Sequence, residues 1–250
     1  MIPMSYRYNI FSRMIRRMYR LFLPTIPSPY TTGPVKDICT IRFVPSEKYQ
    51  EFFSNCIRIL KEHRGNTIGD YLEFGVFNGG SLSEMYIASK KEKVVTRFFG
   101  FDAFEGLPAE SESADKGVFK RGYYSCSFDD LQNCLVRDGV DLKEIVWVKG
   151  WYKDTLTPEL ALENAIDPGM IFIDCDTYGS SKSALDFLAP LIKKPTIISF
   201  DDWRLYDLDL KGEGEYRSFN EFLESNPHLK AEEIPTYKRN SRTFLVIPSL

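Results

Sequence analysis

Four aspartates that directly follow two apolar segments could bind a metal ion. They come after residues 170–173 and 195–200 of the chain: Asp174, Asp176, Asp201 and Asp202. Carboxylates brought close together repel one another and raise each other's pKa unless a cation neutralises them. Because oxygen ligands suit Mg²⁺, Ca²⁺ or Mn²⁺, the four acids favour a site for a hard divalent cation. The alternative is that each acid caps the helix after it by accepting a hydrogen bond from a free backbone N–H.

A glycine-rich segment and a further acid could bind a nucleoside. Residues 73–81 read EFGVFNGGS, which lacks the G-x-G-x-x-G spacing that places a pyrophosphate at a helix N-terminus. Asp102 ends the next apolar segment, where its carboxylate could accept hydrogen bonds from the two hydroxyls of a ribose. These features suit a nucleoside without phosphates, such as S-adenosylmethionine. The alternative is that the glycines form only a tight turn and a helix cap.

Short apolar segments alternate with helical ones along the chain. Segments such as FFGFD, MIFID and TIISF are continuously apolar, as expected for strands that helices cover on both faces. The pattern predicts strands over residues 70–75, 97–102, 145–149, 170–174, 195–200 and 243–247. It predicts helices over residues 47–64, 81–90, 128–137, 156–165, 182–191 and 217–224. We therefore expect an α/β fold with a doubly wound, mostly parallel, Rossmann-like sheet, whose ligands bind beyond the carboxyl ends of the strands.

The first 36 residues differ from the rest of the 250-residue chain in composition. They carry six basic side chains and no acid, whereas residues 37–250 hold 26 basic and 35 acidic side chains. We predict a basic N-terminal extension over residues 1–36, which ends in a proline-rich connector, and a main domain over residues 37–250. The acidic main domain argues against nucleic-acid binding, because phosphate contacts come from clustered Lys and Arg.

The start of this extension has the pattern of a basic amphipathic helix. Residues 1–24 place apolar side chains and five arginines at near-helical spacing. The apolar face favours packing on its own subunit or on a partner subunit of a homo-oligomer, and the alternative is peripheral contact with a membrane surface or an anionic ligand. The cleavage pattern of a signal peptide is missing, and no apolar run approaches the roughly 20 residues of a membrane span.

The cysteines, histidines and tryptophans give weaker signals. The five cysteines are scattered without a C-x-x-C pair, so we expect reduced, mostly buried thiols and neither disulfides nor a thiolate zinc site. We predict a cytoplasmic protein, with association at a membrane surface as the alternative. His63 and His228 share no motif with an acid, which favours structural or surface roles. Trp151 and Trp203 could stack on a base or a sugar, although core packing is the default for an aromatic side chain.

Five segments together resemble the macrocin O-methyltransferase family of antibiotic-sugar methyltransferases. They are YLEFGVFNGGSL, FFGFDAFEGLP, VKGWYKDTL, FIDCDTYGSS and IISFDDW, which occur in this order within residues 68–247. The resemblance implies a class I methyltransferase that uses S-adenosylmethionine and Mg²⁺, or another hard divalent cation, to methylate a sugar hydroxyl. The acceptor would be a sugar in a glycan, a glycolipid or a glycosylated natural product.

The resemblance also implies roles for individual residues. Glu73 and Gly75 would border the methionine part of the cofactor, and Asp102 would hold the ribose hydroxyls. Gly150 and Trp151 would lie beside the adenine. The remaining acids divide into metal ligands and a general base: Asp174, Asp201 and Asp202 for the metal, and Asp176 for the base.

Two other classes of function compete with this interpretation. A metal-dependent hydrolase or phosphoesterase would also use carboxylates and a divalent ion, to activate water. The chain shows no phosphate-binding basic cluster, which counts against it. A non-catalytic nucleotide-binding scaffold would not need intact acids at two strand ends.

Overall fold

A seven-stranded sheet forms the centre of the computed structural model, which describes residues 37–113 and 115–249. Its strands are β1 (Asp70–Phe74), β2 (Phe98–Asp102), β3 (Ile145–Lys149), β4 (Pro168–Ile173), β5 (Thr196–Phe200), β6 (Leu229–Ile234) and β7 (Arg242–Pro248). The strand order is β3-β2-β1-β4-β5-β7-β6. The first five strands run parallel, whereas β7 is antiparallel to both β5 and β6. The predicted doubly wound, mostly parallel sheet is confirmed.

Helices cover the sheet on both faces. They are α1 (Ser46–Arg64), α2 (Gly80–Glu92), α3 (Phe128–Arg137), α4 (Tyr152–Thr155), α5 (Pro158–Glu163), α6 (Tyr178–Leu188), α7 (Leu208–Lys211) and α8 (Gly214–Ser225). Apolar side chains of α1, α2 and α3 pack against one face, together with Tyr71 of β1. Side chains of α6 and α8 pack against the other face, together with Leu72 and Phe74. Successive residues of β1 thus enter opposite cores, which explains why the strand is apolar without alternation.

Apart from small shifts at element ends and the short helix α7, which was not predicted, the predicted elements differ from the structure in three places. The helix expected over residues 156–165 is shorter, α5 (Pro158–Glu163), because Thr157 caps it and Pro158 occupies its first turn, and the short helix α4 before it was not predicted. Strand β6 was not predicted, since most of its side chains are exposed and polar at the edge of the sheet. Helix α6 begins four residues earlier than expected, at Tyr178, because the Thr177 hydroxyl caps it by accepting a hydrogen bond from the Ser180 N–H.

The prediction that all five cysteines are reduced thiols is wrong for two of them. A disulfide joins Cys39, in a short turn before α1, to Cys134 of α3, while Cys56, Cys126 and Cys175 are free and buried. The two bonded cysteines are 95 residues apart, so no local spacing indicates the pair. Disulfides persist mainly in oxidising environments, so this bond also counts against the reasoning behind a cytoplasmic location.

The N-terminal extension lies outside the described residues. Its amphipathic helix, its connector and its contacts with a partner subunit or a membrane therefore stay predictions. Within residues 37–113 and 115–249, no helix is both long enough and apolar enough to cross a bilayer.

Candidate active site

A cavity opens where the carboxyl ends of the parallel strands meet. It has a volume of about 560 Å³, which is enough for a nucleoside-sized ligand. The strand order reverses between β1 and β4, and in sheets of this kind ligands bind in the crevice at that reversal. Six of the predicted site residues line the cavity: Gly75, Asp102, Gly150, Trp151, Asp174 and Asp176.

Gly75 allows the ends of β1 and β4 to approach each other closely. Its φ is +86°, and a Cβ atom on it would lie 1.9 Å from the backbone oxygen of Asp174. No other residue fits here without moving the backbone. The glycine thus shapes the floor of the cavity.

The carboxylate of Asp102 holds the glycine-rich loop in place. Its Oδ2 accepts hydrogen bonds from the backbone N–H groups of Val76 and Phe77, at 2.8 and 3.2 Å, and its Oδ1 accepts one from Phe104 at 2.7 Å. Burial raises the pKa of Asp102, and these backbone bonds oppose that effect. A carboxylate has about four lone-pair positions, and these backbone bonds, with a further one from Ala103, occupy most of them.

Glu73 lies outside the set of described residues that line the cavity. Its side chain is fully buried, and its two oxygens accept hydrogen bonds from the hydroxyls of Tyr71 and Ser81, at 2.5 and 2.7 Å. Burial raises its pKa to about 8, although both hydroxyls act in the opposite direction. In this position Glu73 can affect the cavity through Tyr71 and Ser81, whose hydroxyls it binds. Direct contact between Glu73 and the cofactor stays a prediction.

Gly150 and Trp151 form the wall of the cavity beyond β3. The Gly150 N–H donates to the backbone oxygen of Asp102 at 3.0 Å, which fixes the end of β3 against the end of β2. The partly buried Trp151 precedes helix α4 and lines the cavity. By contrast, Trp203 is buried against Phe200 and Phe219 in the core, so it is not available for stacking on a ligand.

Three of the predicted acids converge beside this cavity. One carboxylate oxygen from each of Asp174, Asp201 and Asp202 lies within 4.8 Å of the other two. Asp174 follows β4 and the other two follow β5, so the pairing of these adjacent parallel strands brings the acids together. Burial, followed by the charges of Asp201 and Asp202, raises the pKa of Asp174 well above its ordinary value. We refer to these three residues as the acid cluster.

The donor set of the acid cluster fits a hard divalent cation. Metal–oxygen distances for Mg²⁺ and Ca²⁺ are about 2.0–2.6 Å, so oxygens on opposite sides of one ion are about 4–5 Å apart. The three oxygens lie within 4.8 Å of one another, which is close enough for all of them to reach one ion.

Asp176 lies next to the acid cluster and contacts it through Asp202. Its backbone has left the strand and adopts φ of +62°, which is unusual for an aspartate. Its carboxyl group is hydrogen-bonded to that of Asp202, and burial followed by the Asp202 charge raises the pKa of Asp176 well above its ordinary value. Two carboxyl groups in this contact must share a proton or a cation.

The sequence analysis missed three residues that contact the acid cluster. The Tyr237 hydroxyl donates to Oδ1 of Asp201, and the Lys238 ammonium donates to its Oδ2. Glu215 of α8 is fully buried and accepts a hydrogen bond from the Asp202 N–H at 2.9 Å. Tyr237 and Lys238 lie in the turn between β6 and β7, where no sequence pattern indicates a role.

The long connection between β2 and α3, residues 103–127, covers one side of the cavity. Its residues Tyr123 and Tyr124 line the cavity, and Asp115 fastens it to the rest of the domain. The Asp115 carboxylate accepts hydrogen bonds from the N–H groups of Tyr178, at the start of α6, and Gly214, at the start of α8, both at 2.8 Å. We refer to residues 103–127 as the cover segment.

Both histidines are exposed, as predicted. His63 is in the last turn of α1, which precedes the amino end of β1, and His228 directly precedes β6. Neither belongs to the described residues that line the cavity, so Asp176 has no histidine competitor there.

The open sheet and the cavity at its strand reversal define a Rossmann-like methyltransferase fold. Residues 46–228 match the macrocin-O-methyltransferase (TylF) family. The chain belongs to this family, and it is an S-adenosylmethionine-dependent O-methyltransferase. No curated protein sequence matches it.

Solved structures of other methyltransferases share the fold. The O-methyltransferase NovP is 22% identical, with a TM-score of 0.63 and coverage of 79% of each chain. CalS11, a TDP-rhamnose 3'-O-methyltransferase of calicheamicin biosynthesis, is 19% identical, with a TM-score of 0.53 and coverage of 98% of this chain and 96% of its own. TomG from Streptomyces achromogenes, solved with S-adenosylmethionine, is 16% identical, with a TM-score of 0.51 and coverage of 82% and 81%.

Proposed function

We propose that the protein transfers the methyl group of S-adenosylmethionine to a hydroxyl group of a sugar, with the help of a divalent cation such as Mg²⁺. The observation that carries this proposal is the position of Asp174 and Asp176. Both line the cavity. Asp174 belongs to the acid cluster, and Asp176 contacts it through Asp202. A ligand in the cavity and an ion at the acid cluster would therefore meet at one point.

On the cofactor side, the proposal assigns binding to the ends of β1, β2 and β3. Gly75 leaves space at the floor, and Trp151 offers a ring beside the adenine position. Asp102 would accept one ribose hydroxyl with its remaining lone pair while it keeps the glycine-rich loop in place. Glu73 would support this loop from behind, through the Ser81 hydroxyl.

On the metal side, Asp174, Asp201 and Asp202 would hold the ion. A divalent cation at this place would supply Lewis acidity toward the acceptor oxygen and would neutralise the repulsion among the three carboxylates. Glu215 would keep Asp202 in position, because it binds the Asp202 backbone N–H.

Asp176 would take the proton of the acceptor hydroxyl. An alcohol is a poor nucleophile, so the proton must leave near the moment of methyl transfer. The C–S bond of the sulfonium breaks as the new C–O bond forms, and the hydroxyl proton passes to Asp176. As a base, Asp176 would have to be ionised before the transfer; burial then favours the protonated form that the transfer produces.

The acceptor would enter between the cover segment and the acid cluster. Tyr124 lines the cavity there, and its ring lies 6.2 Å from that of Phe77 in an edge-to-face arrangement. Aromatic rings offer flat apolar surfaces on which the C–H face of a sugar can pack. The description of CalS11 as a TDP-rhamnose methyltransferase supports a sugar acceptor.

A methyl-transfer assay tests this proposal. The protein is incubated with S-adenosylmethionine, Mg²⁺ and a panel of nucleotide sugars and glycosides, and products are identified by mass spectrometry. We expect one panel class to gain a single methyl group, and Asp176→Asn to lower turnover by about 10²–10⁴-fold with S-adenosylhomocysteine affinity retained. Full activity of Asp176→Asn, or full activity of the wild type in excess chelator, would contradict the assignment.

A further inference from the structure

Lys238 is bound directly to the acid cluster. Its ammonium donates to Asp201 and lies 4.0 Å from Oδ1 of Asp202. The side chain of Lys238 is 25% exposed, and those of Asp201 and Asp202 are 11% and 10% exposed. Water is thus largely excluded from this contact. A charge in such a place acts more strongly on its neighbours than a charge at the protein surface.

The turn that carries Lys238 is held in place by its neighbours. The ring of Tyr237 packs on Phe52 of α1 and Phe172 of β4, with centroids 4.7 and 5.8 Å apart. The hydroxyl of the buried Ser241 bonds to both the N–H and the backbone oxygen of Lys238. Lys238 therefore reaches Asp201 from a fixed backbone, which distinguishes it from a mobile surface lysine.

The charges of this arrangement complement a divalent ion. When a bound ion keeps all three carboxylates of the acid cluster ionised, they carry a charge of −3, and Lys238 reduces it to −2. Two positive charges from an ion would make the site neutral, whereas without Lys238 the occupied site would keep a charge of −1. A neutral site withdraws more electron density from a bound hydroxyl group than a negative one would.

We propose that Lys238 is a built-in cation of the acid cluster, which holds Asp201 and Asp202 together when no ion is bound and weakens the binding of a divalent cation by charge repulsion. This inference rests on the proposed metal site. It makes Lys238 a positioning residue, with the Tyr237 hydroxyl fixing the other oxygen of Asp201.

The proposal makes opposite predictions for the protein with and without metal. Without an ion, Lys238→Met should lower the melting temperature, because the acids lose their nearby positive charge. Lys238→Met removes the positive charge that repels a divalent cation. The variant should therefore bind Mn²⁺ at least about tenfold more tightly than the wild type. Saturating Mn²⁺ should then close the gap in melting temperature to the wild type.

The experiment has two parts. Each variant is titrated with Mn²⁺ while the electron paramagnetic resonance signal of the free ion is recorded. Its thermal unfolding is then measured in chelator and in saturating Mn²⁺. Lys238→Gln, which keeps a hydrogen-bond donor but not the charge, should behave like Lys238→Met. Lys238→Arg, which keeps the charge, should bind Mn²⁺ like the wild type. Lys182→Met, which removes a lysine from an exposed pair with Asp186, serves as the control for losing any salt bridge.

Each outcome supports or contradicts the proposal. Equal or weaker Mn²⁺ binding by Lys238→Met and Lys238→Gln would contradict it, and so would failure of both variants to fold in saturating Mn²⁺. Absence of Mn²⁺ binding from the wild type and every variant would instead contradict the metal site of the proposed function. Tighter binding by both neutral variants, with Lys238→Arg unchanged, would support the role of the charge.

Discussion

Glu73 should make the stability of the protein fall as the pH rises through the neutral range. Its pKa in the folded protein is about 8, against an ordinary value of 4.5, because burial disfavours the charged form. Between these two values the folded state holds a proton that the unfolded state has released. The unfolded state therefore binds fewer protons, and the free energy of unfolding decreases with increasing pH.

The size of the effect follows from the shift. A difference of one pKa unit corresponds to about 1.4 kcal/mol, so a shift of about 3.5 units costs about 4 kcal/mol by pH 8, where the buried carboxyl is half ionised. Below pH 4.5 both states are protonated, and this contribution disappears. The loss of stability should thus be spread between about pH 4.5 and pH 8.

Glu73→Gln isolates this contribution. Glutamine has nearly the same shape and does not titrate; its carbonyl oxygen can accept from one of the Tyr71 and Ser81 hydroxyls, and its amide N–H can donate to the oxygen of the other. Urea unfolding at several pH values in chelator should show a weaker decline in stability for the variant than for the wild type. The other buried acids are common to both proteins, so most of their contribution cancels, and Glu224→Gln at an exposed position of α8 is the control. Identical pH slopes in wild type and Glu73→Gln would refute the reasoning.

Three further predictions follow from single contacts, and a fourth follows from the composition of the N-terminal extension. Asp102→Ala should weaken S-adenosylhomocysteine binding by about 1.5–3 kcal/mol, the contribution of one hydrogen bond to a charged group, and unchanged affinity in calorimetry would contradict this. Asp115→Asn should loosen the cover segment and speed S-adenosylhomocysteine release, measured by stopped flow, and an unchanged rate would leave Asp115 a purely structural cap. Reductant should destabilise the wild type by about 2–5 kcal/mol and leave a variant lacking Cys39 and Cys134 unaffected; equal responses in unfolding curves would argue against the disulfide. Deleting residues 1–24 should change the oligomeric state, lipid partitioning or activity on the acceptor, and retention of all three would show a passive tail.

The location of the site could be predicted from the sequence because it depends on strand periodicity. Continuous apolar runs mark the buried parallel strands, and the ends of such strands meet at one edge. Asp174 and Asp201 are the first residues after β4 and β5, so recognising the two strands was sufficient to bring these acids together. Cavity-lining positions such as Gly75 and Trp151 follow from the same argument.

The contacts that surround the site could not be predicted in the same way. Lys238 meets Asp201 only because β6 and β7 form an antiparallel hairpin that returns to β5, and β6 shows no apolar pattern. The disulfide likewise depends on how the turn before α1 packs on α3. Asp102 was expected to offer both oxygens to a ribose, but most of its hydrogen-bonding capacity serves the backbone of the glycine-rich loop.

Anomalous diffraction from crystals grown with S-adenosylhomocysteine and Mn²⁺ would locate the metal and the cofactor in one experiment. We expect a single strong manganese peak in contact with Asp174, Asp201 and Asp202, with the adenine beside Trp151 and the sulfur facing Asp176. A nucleoside bound in the cavity without a manganese peak at the three aspartates, or a peak elsewhere on the domain, would contradict this expectation.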